Sequence, residues 1–75
     1  MKASLSAYPN PVQSGMLLTV EGVTKGSPVQ IFNQSGTRVL HTIATGETVT
    51  LTLQVPAGFY VIRTTNGEVK IIVNN

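Results

Sequence analysis

Pro56-Ala57-Gly58-Phe59-Tyr60-Val61-Ile62-Arg63, followed by Asn66-Gly67-Glu68-Val69-Lys70-Ile71-Ile72-Val73, is the stretch that decides the fold. The first run reads as a turn feeding a strand, the second as a strand returning beside it. Asn66-Gly67 between two β-rich runs predicts a tight hairpin, because both central residues of a type I′ turn need positive φ. A period of two sends Tyr60 and Ile62 to the core face together with Val69, Ile71 and Val73. Phe59, Val61 and Ile72 are left on the outer face, more apolar surface than a small domain needs. Gly58-x-Tyr60 just after a turn adds a tie: the ring enters the core and its hydroxyl bonds nearby backbone, as at a sandwich corner.

Upstream of the hairpin, Thr48-Val49-Thr50-Leu51-Thr52-Leu53-Gln54 alternates most cleanly, with Val49, Leu51 and Leu53 inward and the threonines and Gln54 outward. Thr37 to Ile43 is a further strand. It has Val39, His41 and Ile43 on one face and Arg38, Leu40 and Thr42 on the other, and the pattern leaves the buried face open. It is joined by Asn33-Gln34-Ser35-Gly36, a turn with Gly36 at the positive-φ position, to Ser27 to Asn33, where Val29 and Ile31 face inward. Pro28 is tolerated at a strand start. Gly22 to Gly26 is a loop, and Met16 to Glu21 a strand with Leu18 and Val20 on one face. Leu5 to Tyr8 is a short strand stopped by Pro9-Asn10-Pro11, which forbids helix and removes two ladder donors. About seven short strands with turn signals at roughly ten-residue spacing read as an antiparallel two-sheet sandwich, a small barrel being the alternative. No segment supports a helix.

A chain of 75 residues is a single domain and buries roughly 60% of its unfolded surface, which leaves little room for a deep cleft. Cysteine is absent, so strand pairing and apolar burial must hold it. Lys2, Lys25, Arg38, Arg63 and Lys70 are scattered and the net charge is only +2, which argues against nucleic-acid binding. No apolar run is long enough to span a bilayer, so membrane insertion is not expected. Met1-Lys2-Ala3-Ser4 leads into no long apolar segment, so any export address is expected upstream in a longer parent.

Catalysis is not expected. Glu21, Glu47 and Glu68 are the acidic residues, and they fall on separate elements rather than converging as paired-carboxylate chemistry or calcium requires. His41 is the one imidazole, without an orienting acid, and reads as a strand-surface or edge residue. One His and no Cys cannot furnish a metal site, and the glycines sit singly in turns, so no cofactor cradle is indicated.

The order of marks is more specific than any one of them. Tyr8-Pro9-Asn10-Pro11 opens the domain, Asn33-x-x-Gly36 sits in the middle, Gly58-x-Tyr60 comes late, and Lys70-Ile71-Ile72-Val73 closes it. From Tyr8 to Val73 the chain resembles the C-terminal sorting domain, type A, of cargo proteins of the type IX (Por) secretion system of Bacteroidetes. The resemblance implies an Ig-like, Greek-key β-sandwich spanning residues 1–75, with its core at about 5–74, cut from a longer secreted protein. It implies an address label: the parent crosses the inner membrane by a signal peptide, folds in the periplasm, and is passed by shuttle proteins and an outer-membrane translocon to the cell surface or medium. A sortase then removes the domain and joins the cargo to anionic lipopolysaccharide. The sorting-motif residues carried over are Tyr8, Pro9, Asn10, Pro11, Asn33, Gly36, Gly58, Tyr60, Lys70, Ile71 and Val73. Asn74-Asn75 stands where the family often has a basic residue.

Two surfaces are the expected translocon contacts: the exposed edge of the last hairpin, which offers backbone groups for strand addition, and the outer face of Phe59, Val61 and Ile72. The same edge would allow two copies to pair as a dimer. A non-catalytic carbohydrate-binding or adhesion sandwich is the competing reading, weakened by the lack of Trp, with only Tyr8, Phe32, Phe59 and Tyr60 to build an aromatic platform. A plain spacer domain is the third.

Overall fold

The computed structural model describes residues 5–75; the expectations placed on Met1 to Ser4, Lys2 included, lie outside them. Eight strands follow one another: β1 (Ser6–Tyr8), β2 (Val12–Gln13), β3 (Leu17–Glu21), β4 (Pro28–Asn33), β5 (Arg38–Ile43), β6 (Thr48–Thr52), β7 (Gly58–Thr64) and β8 (Gly67–Asn74). They form a three-stranded sheet in the order β1-β3-β6 and a five-stranded sheet in the order β2-β8-β7-β4-β5. The connections β3–β4, β5–β6 and β6–β7 each cross between the sheets, the Greek-key pattern of an Ig-like sandwich. No helix occurs among the described residues.

Alternation explains why these segments pair as they do. In the larger sheet Val29, Ile31, Tyr60, Ile62, Ile71 and Val73 are buried, and in the smaller one Leu18 and Val20, joined by Val12, Val23, Ala44 and Leu53 in one core cluster. Fully burying a side chain such as Ile62 contributes about 2–3 kcal/mol. In a chain this small those few residues decide whether it folds. Leu40 and Val49 pack against the same cluster. The face of β5 left open by the sequence is therefore settled: Leu40 and Thr42 turn inward, while Val39, His41 and Ile43 are exposed. Arg38, expected to share the face of Leu40 and Thr42, does not: the register shifts between Ile31 and Phe32, which sets Arg38 opposite Phe32 and within reach of Gln30 on the outer face.

Three further sequence expectations need correction. The strand count is eight. The added strand, β2, pairs parallel with β8 through Val12↔Val73 and Gln13↔Asn74, so the sandwich is not wholly antiparallel. Pro9-Asn10-Pro11 is the reason: the chain leaves the smaller sheet after β1, passes through this segment and re-pairs in the larger one. Its Tyr8–Pro9 and Asn10–Pro11 peptide bonds are both cis.

The last hairpin also turns one residue earlier than its Asn-Gly pair predicts. Thr64 pairs with Gly67, leaving Thr65-Asn66 at the tip, and no non-glycine residue among the described ones has positive φ, so the turn is not type I′ at Asn66-Gly67. Gly67 carries the positive φ alone, at 134°. Register is fixed by which side chains must face the core, because a one-residue slip would turn Ile71 and Val73 to solvent. Asn66 is then free to reach across, its Nδ2 donating to the Gly22 carbonyl at 2.6 Å and to Thr24 Oγ1 at 3.1 Å, which ties the hairpin tip to the β3–β4 loop.

The corner expected from Gly58-x-Tyr60 is present. Tyr60 is buried and its hydroxyl donates to the Pro56 carbonyl at 2.6 Å. Tyr60→Phe is expected to keep the fold and lower unfolding free energy by about 1 kcal/mol, the net worth of one such hydrogen bond, in urea unfolding. Ile71→Ala, which leaves a cavity, is expected to remove about 2–5 kcal/mol.

Candidate functional site

Most motif residues build the fold. Asn33 accepts at its side-chain oxygen from the amides of Ser35 (3.0 Å) and Thr37 (2.9 Å), while its own N–H and carbonyl bond Thr37 and Gly36. Gly36 completes that turn with φ at 89°, a region L side chains rarely adopt. Tyr60, Ile71 and Val73 are core, and Gly58 opens β7 beside the Tyr60 ring. Pro9 and Pro11 are exposed.

Asn10 does what its flanking prolines cannot. Lacking N–H groups, Pro9 and Pro11 offer no ladder donors. The Asn10 amide instead docks on the edge of β8, donating to the Lys70 carbonyl at 3.2 Å and accepting from the Ile72 N–H at 3.0 Å. β2 continues the cover, and the Ser14 N–H closes on the Asn74 carbonyl at 2.7 Å. The expectation of an open edge on the last hairpin is therefore overturned from Lys70 to Asn74. A side-chain amide and a two-residue strand occupy it, a common way to blunt an edge.

Tyr8 lies on the outer face of the smaller sheet. Its hydroxyl donates to Glu21 Oε2 at 2.5 Å, a diagonal pair across β1 and β3, since Ser6 stands opposite Glu21. That carboxylate raises the phenol above its ordinary pKa, with desolvation adding to the effect.

Apolar side chains are exposed on both sheets: Tyr8 and Leu17 on the smaller one, with Met16 just before it, and a longer row on the outer face of the larger one. Phe59 stands opposite Ile72, Val61 lies between Lys70 and Phe32, and Arg63 pairs with Glu68. Phe59 is 53% and Ile72 40% exposed, with Val61 half-buried between strands. The three residues expected on the outer face are therefore there together, and Lys70 joins them. Asn33, Gln34, Phe59, Val61 and Lys70 line a depression of about 360 Å³. At the far end of the face the polar groups satisfy one another: Arg63 Nε meets Glu68 Oε2 at 2.7 Å, its guanidinium lies 5.2 Å from the Phe32 ring centre, and Arg38 reaches Gln30.

Sequence reading missed Gln34 and Phe32 as members of this face. Phe32 was recoverable, because it has the opposite parity to Val29 and Ile31. Gln34 was not, because turn residues have no periodicity. The aromatics make no sugar platform: Tyr60 is buried, Phe32 sits under Arg63, and Tyr8 and Phe59 belong to different sheets. His41 is exposed on β5, with no grouping of His, Cys, Asp or Glu suited to a metal among the described residues.

Fold and face together define a small β-sandwich whose larger sheet presents an apolar, basic-edged outer surface. The chain belongs to the secretion system C-terminal sorting domains: the family model matches residues 6–74, which takes in both sheets. Its role is thus that of a sorting signal for type IX secretion, which carries cargo across the outer membrane to the cell surface or beyond. No curated protein matches the chain. Among solved structures it is similar to PorZ, described as an essential bacterial surface component of the type IX secretion system of Porphyromonas gingivalis. The TM-score is 0.77 and the identity 20%, over 95% of this chain and 11% of that one, so the likeness concerns the fold.

Asn10→Ala is expected to leave the domain folded but open the β8 edge. Amide exchange at Ile72 should then accelerate by about tenfold, the equivalent of one lost hydrogen bond, with little change at Ile62.

Proposed function

We propose that the folded sandwich is itself the address, read by the type IX outer-membrane translocon and its shuttle proteins through the outer face of Phe59, Val61, Ile72 and Lys70. The parent protein crosses the inner membrane by its own signal peptide and transits the periplasm with this domain folded at its C-terminal end. After passage through the outer membrane a sortase releases the domain and joins the cargo to anionic lipopolysaccharide. The observation that supports the reading is that the family match runs over residues 6–74, across both sheets, rather than over a short terminal peptide. Edge pairing through β8 has little support once Asn10 and β2 occupy that edge, and we assign recognition to the face.

Deleting Glu68 to Asn75 from a secreted reporter fusion would remove β8, and with it Ile71 and Val73, so it would test folding rather than recognition. The informative variant is Phe59→Thr with Ile72→Thr, a directly opposed pair on the outer face, where Thr keeps strand propensity. In a Bacteroidetes host, a reporter with a signal peptide at its N-terminus and this variant at its C-terminus is expected to accumulate in the periplasm. The purified variant should unfold within about 0.5 kcal/mol of the parent, as surface substitutions do. Undiminished appearance of the reporter outside the cell would refute the face as the contact.

A further inference from the structure

Most of the charged residues on strands lie on the larger sheet. The outer face of the larger sheet carries Arg38, Arg63 and Lys70 against Glu68, which equals the net +2 of the whole chain. Glu21 lies on the smaller sheet and Glu47 and Lys25 in loops. On the larger sheet's face two of the three cations are already engaged, Arg63 by Glu68 and Phe32, Arg38 by Gln30. The Lys70 ammonium has no ion-pair or hydrogen-bond partner among the described residues, and it stands at the depression.

The rim of that depression is tuned toward donors. Asn33 Oδ1 is consumed by two backbone N–H groups, which fixes the orientation of the amide and leaves Nδ2 as the group it can present. Gln34 supplies another amide beside it, and Phe59 and Val61 make the floor apolar. A cation and an amide donor above an apolar floor suit a carboxylate with a hydrophobic neighbour. A depression of about 360 Å³ suits side chains rather than a flat surface.

We propose that this depression receives an acidic-apolar segment of the protein that reads the domain, its carboxylate on Lys70 Nζ and Asn33 Nδ2 and its apolar neighbour on Phe59 and Val61. The assignment rests on the outer face being the export contact and names the chemistry of the partner there. A protein segment fits better than an anionic membrane surface, which is gripped by several coplanar cations; here Arg38 and Lys70 lack a carboxylate partner among the described residues, Arg38 does not line the depression, and the surface beside Lys70 is concave and apolar.

The test uses the isotopically labelled 75-residue chain and two synthetic probes, N-acetyl-Leu-Glu-Leu-amide and its Gln counterpart. The Glu probe is expected to bind weakly, near a dissociation constant of about 1 mM. It should shift the amide signals of Gln34, Phe59, Val61 and Lys70, with the effect shrinking at high salt. The Gln probe should bind about tenfold more weakly, the loss of one charge-assisted hydrogen bond. Lys70→Gln should lose the preference and Lys70→Arg keep it. Equal response to both probes, no response to either, or shifts elsewhere on the domain would overturn the proposal. So would binding to phosphatidylglycerol vesicles through Lys70 with both peptides inert. In the reporter assay Lys70→Glu is expected to block export. Normal export of Lys70→Glu beside a blocked Phe59→Thr/Ile72→Thr variant would refute the carboxylate assignment while the face stands. Normal export of both would remove the face as well.

Discussion

The constraint that everything else depends on is the register of β7 on β8. Seven residue pairs run from Gly58↔Val73 to Thr64↔Gly67, and that pairing puts Tyr60, Ile62, Ile71 and Val73 on the inner face together. In a sandwich of this size there is no second core to compensate for a slip, because moving one strand by one residue exchanges its buried and exposed sets. β4 joins this hairpin on one side with Val29 and Ile31, β2 on the other with Val12, and the smaller sheet closes over them. Two devices hold the hairpin ends: the Tyr60 hydroxyl on Pro56 near the start of β7, and the Asn66 amide on Gly22 and Thr24 at the tip.

This arrangement divides the labour among the motif residues. Asn10, Asn33, Gly36, Gly58, Tyr60, Ile71 and Val73 are accounted for by turns, edges and core. The residues carried over from the family resemblance are thus mainly ones that build the fold. The blunted β8 edge has a functional meaning as well. A covered edge is a poorer template for pairing with another chain. With the edge of the last hairpin capped by Asn10 and β2, this hairpin presents side chains rather than backbone, with Phe59 and Ile72 exposed and Lys70 beside them.

Much of the strand content was legible because half-buried strands write a period of two into the sequence: Val49-Thr50-Leu51-Thr52 and Tyr60-Val61-Ile62 are examples. The inward and outward sets of the last hairpin followed directly from that. The exceptions have physical causes. β2 is two residues long between a proline and a turn, too short for any period, and it exists only through its tertiary pairing with Val73 and Asn74. The Asn-Gly signal at the hairpin tip lost to core register and to a longer-range use for the Asn66 side chain. The burial of β5 was ambiguous because both of its faces are apolar in part, and Leu40 inside was decided by what it packs on. The depression was legible only in pieces, since Asn33, Gln34, Phe59 and Lys70 come together from a turn and two strands.

Native-state amide hydrogen exchange across the whole chain tests the central claim most directly. If the β7–β8 register organises the fold, the hydrogen-bonded amides between these strands will exchange only through global unfolding, with one opening free energy shared by β4. Exchange of the β8 amides through a distinctly smaller opening, while β3, β4 and β6 stay protected, would show a sandwich that stands without its last strand and would contradict the account.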